Sequence, residues 1–137
     1  MKAFKFENLT VWQMALEYVD LMYHLAERLA ASEQYNLASQ LTRAATSIAL
    51  NIAEGSTGQS DSEQKRFLGL ALRSLIETVA CQRLIERRKY ISDSSILETA
   101  NQKAHDLARA LQAFRNALGK QVREEQAIYL TNEGENI

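Results

Sequence analysis

Not one proline occurs in this chain of 137 residues, and only five glycines do. Sheets and loop-rich domains use both residues to bend and stop the backbone, so their scarcity points to long helices joined by few turns. The length suits one hydrophobic core and is too short for two. Hydrophobic residues at 46% and charged residues at 24% describe an ordinary packed domain, not a disordered or fibrous chain.

Periodicity divides the chain into four helical runs. The first follows Thr10, read as an N-cap with Gln13 three residues on, and continues to about Ala30. Its apolar positions Trp12, Ala15, Val19, Met22, Ala26 and Leu29 step by 3 and 4, the spacing of a bundle helix. A second run from Tyr35 to Glu54 ends at Gly55, where a left-handed cap is cheap. After a loop, Ser60 with Glu63 opens a third run to Lys89 or Tyr90, and Ser95 with Glu98 opens a fourth. The fourth carries Leu97, Ala100, Ala104, Leu107, Leu111, Phe114 and Leu118 on one stripe. The expected fold is all-α, an antiparallel up-down four-helix bundle over residues 1–123, with 124–137 a frayed acidic tail.

The second run is nearly free of charge. Tyr35 to Ala53 holds Arg43 alone, where the chain average would place about four or five charges. Leu37, Leu41, Ala45, Ile48 and Ile52 form its core stripe, and Ala38, Thr42, Thr46, Ala49 and Ala53 a second stripe of small residues. A helix without a solvated face implies cover from outside the bundle, so self-association is expected. Between the stripes run Gln40, Arg43, Ser47, Asn51 and Glu54, read as a polar network that fixes register or lines the interface, with Glu54 or Glu77 pairing Arg43; the alternative is a ligand or RNA-backbone site.

The net charge is −1, so there is no global basic field for nucleic acid or lipid. Locally, Asp61 to Lys89 holds seven basic and four acidic residues. Arg66, Arg73 and Arg87 recur at multiples of seven opposite the core stripe, with Lys65 and Arg83 beside them. These five are the nucleic-acid-binding candidates, the alternative being a solvated face with an Arg73–Glu77 pair.

Catalytic and metal sets are absent from the pattern, and no cofactor is expected. His24 and His105 lack the Glu-x-x-His spacing of di-iron bundles, because Leu21 and Gln102 stand three residues before them. Cys81 is the lone cysteine and reads as packing, which fits the reducing cytoplasm. Gly55 and Gly58 lack a Walker lysine. Trp12 falls in the core stripe, and with Tyr18 and Tyr23 makes up the aromatic base-stacking candidates. No apolar run is long enough for a membrane span.

Leu9, Val11, Trp12 and Ala15, then Gln40, Arg43, Ala44, Ser47, Ile48, Asn51, Ile52, Ala53, Glu54 and Gly55, then Ser60, Glu63, Phe67, Leu68, Ala71, Ser74, Leu75 and Glu77 make a recognisable set. On these residues the chain resembles the bacterial 23S rRNA intervening-sequence (S23 ribosomal protein) family from about Phe6 to Leu118. The resemblance implies an up-down bundle in a ring-like homopentamer with no established biochemical function. It also implies departures: this chain has Ala49 where a proline is usual, Arg73 where a glycine is usual, and Gly58, Gln59, Asp61 and Ser62 where basic residues are common. The expected function is a non-enzymatic homo-oligomer that binds RNA or a ribonucleoprotein partner through the basic third helix. The alternative is a ring with an unrecognised small-ligand or catalytic site.

Overall fold

A computed structural model describes the backbone of residues 1–58 and 60–135 and the side chains of 1–58 and 60–118. Four helices, α1 (Thr10–Glu27), α2 (Leu37–Gly55), α3 (Asp61–Arg87) and α4 (Ser94–Glu135), make up an all-α fold with no strand among the described residues. Short 3-10 turns at Lys5–Asn8 and Ala31–Glu33 lead into α1 and α2. The bundle boundary expected at 123 and the acidic tail expected at 124–137 lie outside the described side chains.

Each helix packs on its sequence neighbours, and α1 closes onto α4. Across α2 and α3, Ser47 bonds Ser74 while Gly55 lies against Phe67, so the two chains run in opposite senses. The same holds for α3 and α4, where Arg83 reaches Asn101 and Gly69 lies under Arg115. The expected core stripes of α2 and α4 are buried, with Phe114 half-buried. On α1 the buried set is rotated: Val11, Tyr18 and Leu25 join Ala15, Met22, Ala26 and Leu29, while Trp12 and Val19 sit at the margin. Trp12 there meets Phe6 edge to face at 4.7 Å, which pins the N-terminal arm.

Helix ends depart from expectation in instructive ways. Ser60 Oγ accepts the Glu63 N–H at 3.1 Å, so the cap of α3 is present. Thr10 does not cap α1; it lies inside the helix behind Leu9, and Gln13 instead donates to the Glu7 carbonyl at 2.8 Å. Asp93, not Ser95, supplies the acceptor at the start of α4, taking both the N–H and the hydroxyl of Ser95. These bonds hold the Asp93 carboxyl below its ordinary range, the Ser95 hydroxyl contributing most. Gly55 is not a left-handed cap, since positive φ is found at Gly58 and Lys89 among the described residues. Its role is clearance: a Cβ there would fall 2.8 Å from Phe67 Cβ, so glycine lets α2 and α3 converge.

One buried polar cluster escapes any reading of apolar periodicity. Thr78 donates to the Leu75 carbonyl, Tyr18 lies 2.7 Å from Thr78 Oγ1, and Gln82 Nε2 donates to Tyr18 Oη at 2.7 Å. With its own hydrogen committed to Leu75, Thr78 accepts from Tyr18. Burial pushes the Tyr18 phenol up and keeps it protonated. Gln82 Oε1 is buried without an acceptor's usual donor.

Candidate nucleic-acid interface

A helix of 27 residues has room for a buried stripe and a long charged face, and α3 has both. Leu68, Ala71, Leu75, Thr78, Cys81, Gln82 and Ile85 go inward. Arg66, Arg73, Arg83 and Arg87 are exposed and Lys65 is half-buried, so all five sequence candidates reach the surface.

Their electrostatic situations differ. Arg66 lies over the Phe67 ring, 4.5 Å from its centroid, and grips Glu63 with two nitrogens, at 2.7 and 3.1 Å. That grip holds the Glu63 carboxyl below its ordinary range and cancels much of the arginine's charge toward an outside anion. Arg83 donates to the neutral Asn101 side chain at 2.6 Å and keeps its full charge. Arg73 and Arg87 form no ion pair among the described residues; the alternative Arg73–Glu77 bridge is not formed.

Between α3 and α4 lies an open groove of about 730 Å³. Its apolar floor is Leu70, Leu72 and Ile76, and Ile76 is 62% exposed. Arg73 and Arg115 flank the floor, with Gln112 beside them. Arg115 comes from α4 and has no counterpart in the sequence reading. Its guanidinium lies across Gly69, 3.4 Å from where a Cβ would stand, and its Nε is buried without a hydrogen-bond acceptor. A guanidinium with its Nε desolvated and no carboxylate beside it among the described residues is electrostatically uncompensated and favours an anion from outside.

The α2 network is only partly internal. Ser47 bonds Ser74 at 2.9 Å, and Asn51 donates to Ser47 at both its carbonyl and its hydroxyl, so these three residues do tie α2 to α3. Gln40 and Glu54 are exposed. Arg43 overturns its expected pairing: it is exposed, donates to Ser39 Oγ one turn back at 2.9 Å, and forms no ion pair with Glu54 or Glu77 among the described residues. The reason is rotational, since α2 turns its Ala44–Ala45 side to the core and leaves Arg43 beside Leu50 and Tyr23 on the outer face. There Tyr23 Oη lies 3.0 Å from Thr46 Oγ1, and Leu50 is 57% exposed.

The aromatic stacking candidates separate in the same way. Tyr18 is buried and bonded, Trp12 is packed under Phe6, and Tyr23 is exposed on the α1–α2 face, away from the arginines of α3. His24 and His105 are exposed on different helices. Among the described residues no cluster of three His, Cys, Asp or Glu residues could hold a metal ion. Cys81 is buried, and burial first, then Glu77, pushes its thiol up, which opposes thiolate chemistry. No described helix is long and apolar enough to cross a membrane.

Comparison with known proteins places this arrangement. No curated protein matches the chain. Among solved structures, a protein of unknown function from the S23 ribosomal protein family of Bacteroides thetaiotaomicron VPI-5482 superposes with a TM-score of 0.70 and 25% identity. The match covers 77% of this chain and 95% of that one. The family described as 23S rRNA-intervening sequence protein matches residues 7–113, from the turn that pins the N-terminal arm through the Leu111 layer of α4. With α1, α2, α3 and the first part of α4 inside that match, which spans well over half of the sequence, the chain belongs to the 23S rRNA-intervening sequence protein family.

Proposed function

We propose that this protein is a non-enzymatic, self-associating bundle that holds RNA by its phosphates along α3 and the adjoining edge of α4. One observation carries the reading: Arg73 and Arg115 flank the α3–α4 groove, and neither they nor the exposed Arg87 have a carboxylate partner among the described residues. Unpaired surface arginines cost less to present to phosphate than arginines already in ion pairs, which must first give up a partner. The family's description in terms of 23S rRNA supports RNA as the polyanion. Self-association is supported by the outer α2 face, where Leu50 is 57% exposed beside Tyr23 and Thr46. The resemblance drawn from the sequence makes the assembly a homopentamer, and a ring would repeat each weak phosphate contact on every subunit. A cytoplasmic setting accords with the single reduced cysteine.

Fluorescence anisotropy with structured RNA at low and moderate salt tests the binding directly. Affinity should fall steeply with salt, and Arg73→Glu with Arg87→Glu should weaken it and flatten the salt slope. Equal binding by the double variant would remove α3 as the site. Sequencing of RNA and mass spectrometry of proteins that co-purify from the native host would identify what the assembly carries.

A further inference from the structure

The groove between α3 and α4 is more than a strip of positive charge. A site for phosphate alone needs fork-shaped donors and nothing apolar, yet here Arg73 and Arg115, neither ion-paired among the described residues, flank Leu70, Leu72 and an Ile76 that is 62% exposed. Gln112 commits its Nε2 to Asn116 at 2.8 Å, which leaves Oε1 to accept. Arg115 lies flat against α3 because Gly69 offers no side chain to hold it away. Anion donors, an apolar floor and a lone amide acceptor thus share one groove of about 730 Å³, within the roughly 300–1,000 Å³ range of small-ligand sites.

We infer that this groove is a nucleotide subsite, in which Arg73 and Arg115 hold a phosphate ester and the Leu70–Leu72–Ile76 floor carries an unpaired base whose N–H edge meets Gln112 Oε1. The inference rests on the RNA reading above and narrows it, because a base reaches that floor only when it is out of a duplex. Guanidinium planes and aliphatic side chains accept any base face, so the expected preference is for unpaired strand over sequence. The same chemistry occurs in a free nucleoside monophosphate and in a nucleotide of single-stranded RNA.

Calorimetric titration of the full chain with adenosine monophosphate, uridine monophosphate, adenosine and inorganic phosphate separates the components. Both nucleotides should bind about tenfold or more tightly than adenosine or phosphate alone, as expected when a charged fork and an apolar surface act together. Arg73→Gln and Arg115→Gln should each lose about tenfold, and Ile76→Ser should weaken nucleotides but not inorganic phosphate. The melting temperature supplies a control. Since Arg115 has a buried, unbonded Nε and no carboxylate partner among the described residues, R115Q should leave it nearly unchanged; a large fall would make Arg115 a structural residue and overturn the assignment. Phosphate binding as well as the nucleotides would also overturn it. A short single-stranded oligoribonucleotide distinguishes the two proposals. If it binds wild type and the R73Q/R115Q double variant equally, the subsite is wrong and RNA binding lies elsewhere on the protein. If nucleotides bind in the groove but no RNA does, the subsite stands for free nucleotides and the RNA reading falls. If neither binds, both fall.

Discussion

The outer faces of α2 and α3 are made by neighbouring helices of one bundle, and they are opposites. On α2 the exposed residues are Gln40, Arg43, Leu50 and Glu54, with half-buried Thr46 between them, and Arg43 and Glu54 form no ion pair among the described residues. On α3 there is a row of arginines in which Arg66, at one end, is held by Glu63, while Arg73, beside it in the α4 groove, forms no ion pair among the described residues. A face that is poor in charge gains by being covered, and a face of unpaired guanidiniums gains by meeting an anion. Under the proposed function, assembly belongs to the first of these faces and recognition to the second.

The sharpest way to break that division is to put a charge at adjacent positions of α2. Ala49 is only 7% exposed within the subunit, whereas Leu50 beside it points outward. A carboxylate at 49 has no partner and no water, so Ala49→Glu should cost the fold itself about 3 kcal/mol or more. Urea unfolding followed by circular dichroism measures it. The small-residue stripe that holds Ala49 suggests a contact outside the subunit, but its burial inside the chain makes this variant a test of packing within the subunit instead. Leu50→Glu is the test of assembly. It should leave subunit stability within about 0.5 kcal/mol while light scattering shows mass falling toward 15.5 kDa. A wild type already at that mass would end the self-association reading.

A smaller effect probes the arginine row. Arg73→Gln should weaken RNA binding more than Arg66→Gln, because Arg66 is already held by Glu63 and contributes little net charge outward. Anisotropy titrations of the two variants at one salt concentration decide this. Equal losses would mean that the Glu63–Arg66 pair opens on binding. Removing Glu63 by E63Q should then release Arg66 and raise affinity, which gives the comparison a gain-of-binding arm.

What the sequence made legible follows from the kind of pattern each feature leaves. The core stripes of α2 and α4 were readable because burial on a helix repeats every three or four residues, and Leu41, Ile48, Leu107 and Leu111 lie where that repeat puts them. The charged face of α3 was readable for the same reason. Arg115 was not, because its meaning depends on the residue opposite it on another helix. The signal was present in the turn at Ser92: Arg83 and Asn101 stand nine residues to either side of it, and Gly69 and Arg115 twenty-three. Register about a turn pairs residues equidistant from it once α3 and α4 form a hairpin. Tyr18, Thr78 and Gln82 stayed hidden because they are polar residues at core positions, and a hydrophobic period skips them. The pairing expected for Arg43 failed since a wheel gives the angle between residues but not how the wheel is set against its neighbours.

The smallest expected effect lies at the turn ends that hold these helices in register. Tyr90, next to the α3–α4 turn, donates to Glu33 Oε1 at 2.9 Å, and Glu33 also accepts from Asn36 and from the Leu37 N–H at the start of α2. The Tyr90 hydrogen bond is the main reason the Glu33 carboxyl is held below its ordinary range. A carboxyl whose pKa is lower in the folded chain than in the unfolded one stabilises above the unfolded value, about 4.3, and that contribution disappears as pH falls through the folded value. Asp93, lowered by Ser95, acts in the same direction across the turn. Stability should therefore be flat near neutrality with respect to these groups and decline below about pH 4.3. Glu33→Gln should reduce the decline without changing the bundle, since Glu33 is at the surface end of its contacts. Thermal melts of wild type and E33Q between pH 3 and 7 compare the slopes; identical acid slopes would show that the link from Tyr90 to the start of α2 adds nothing to the fold.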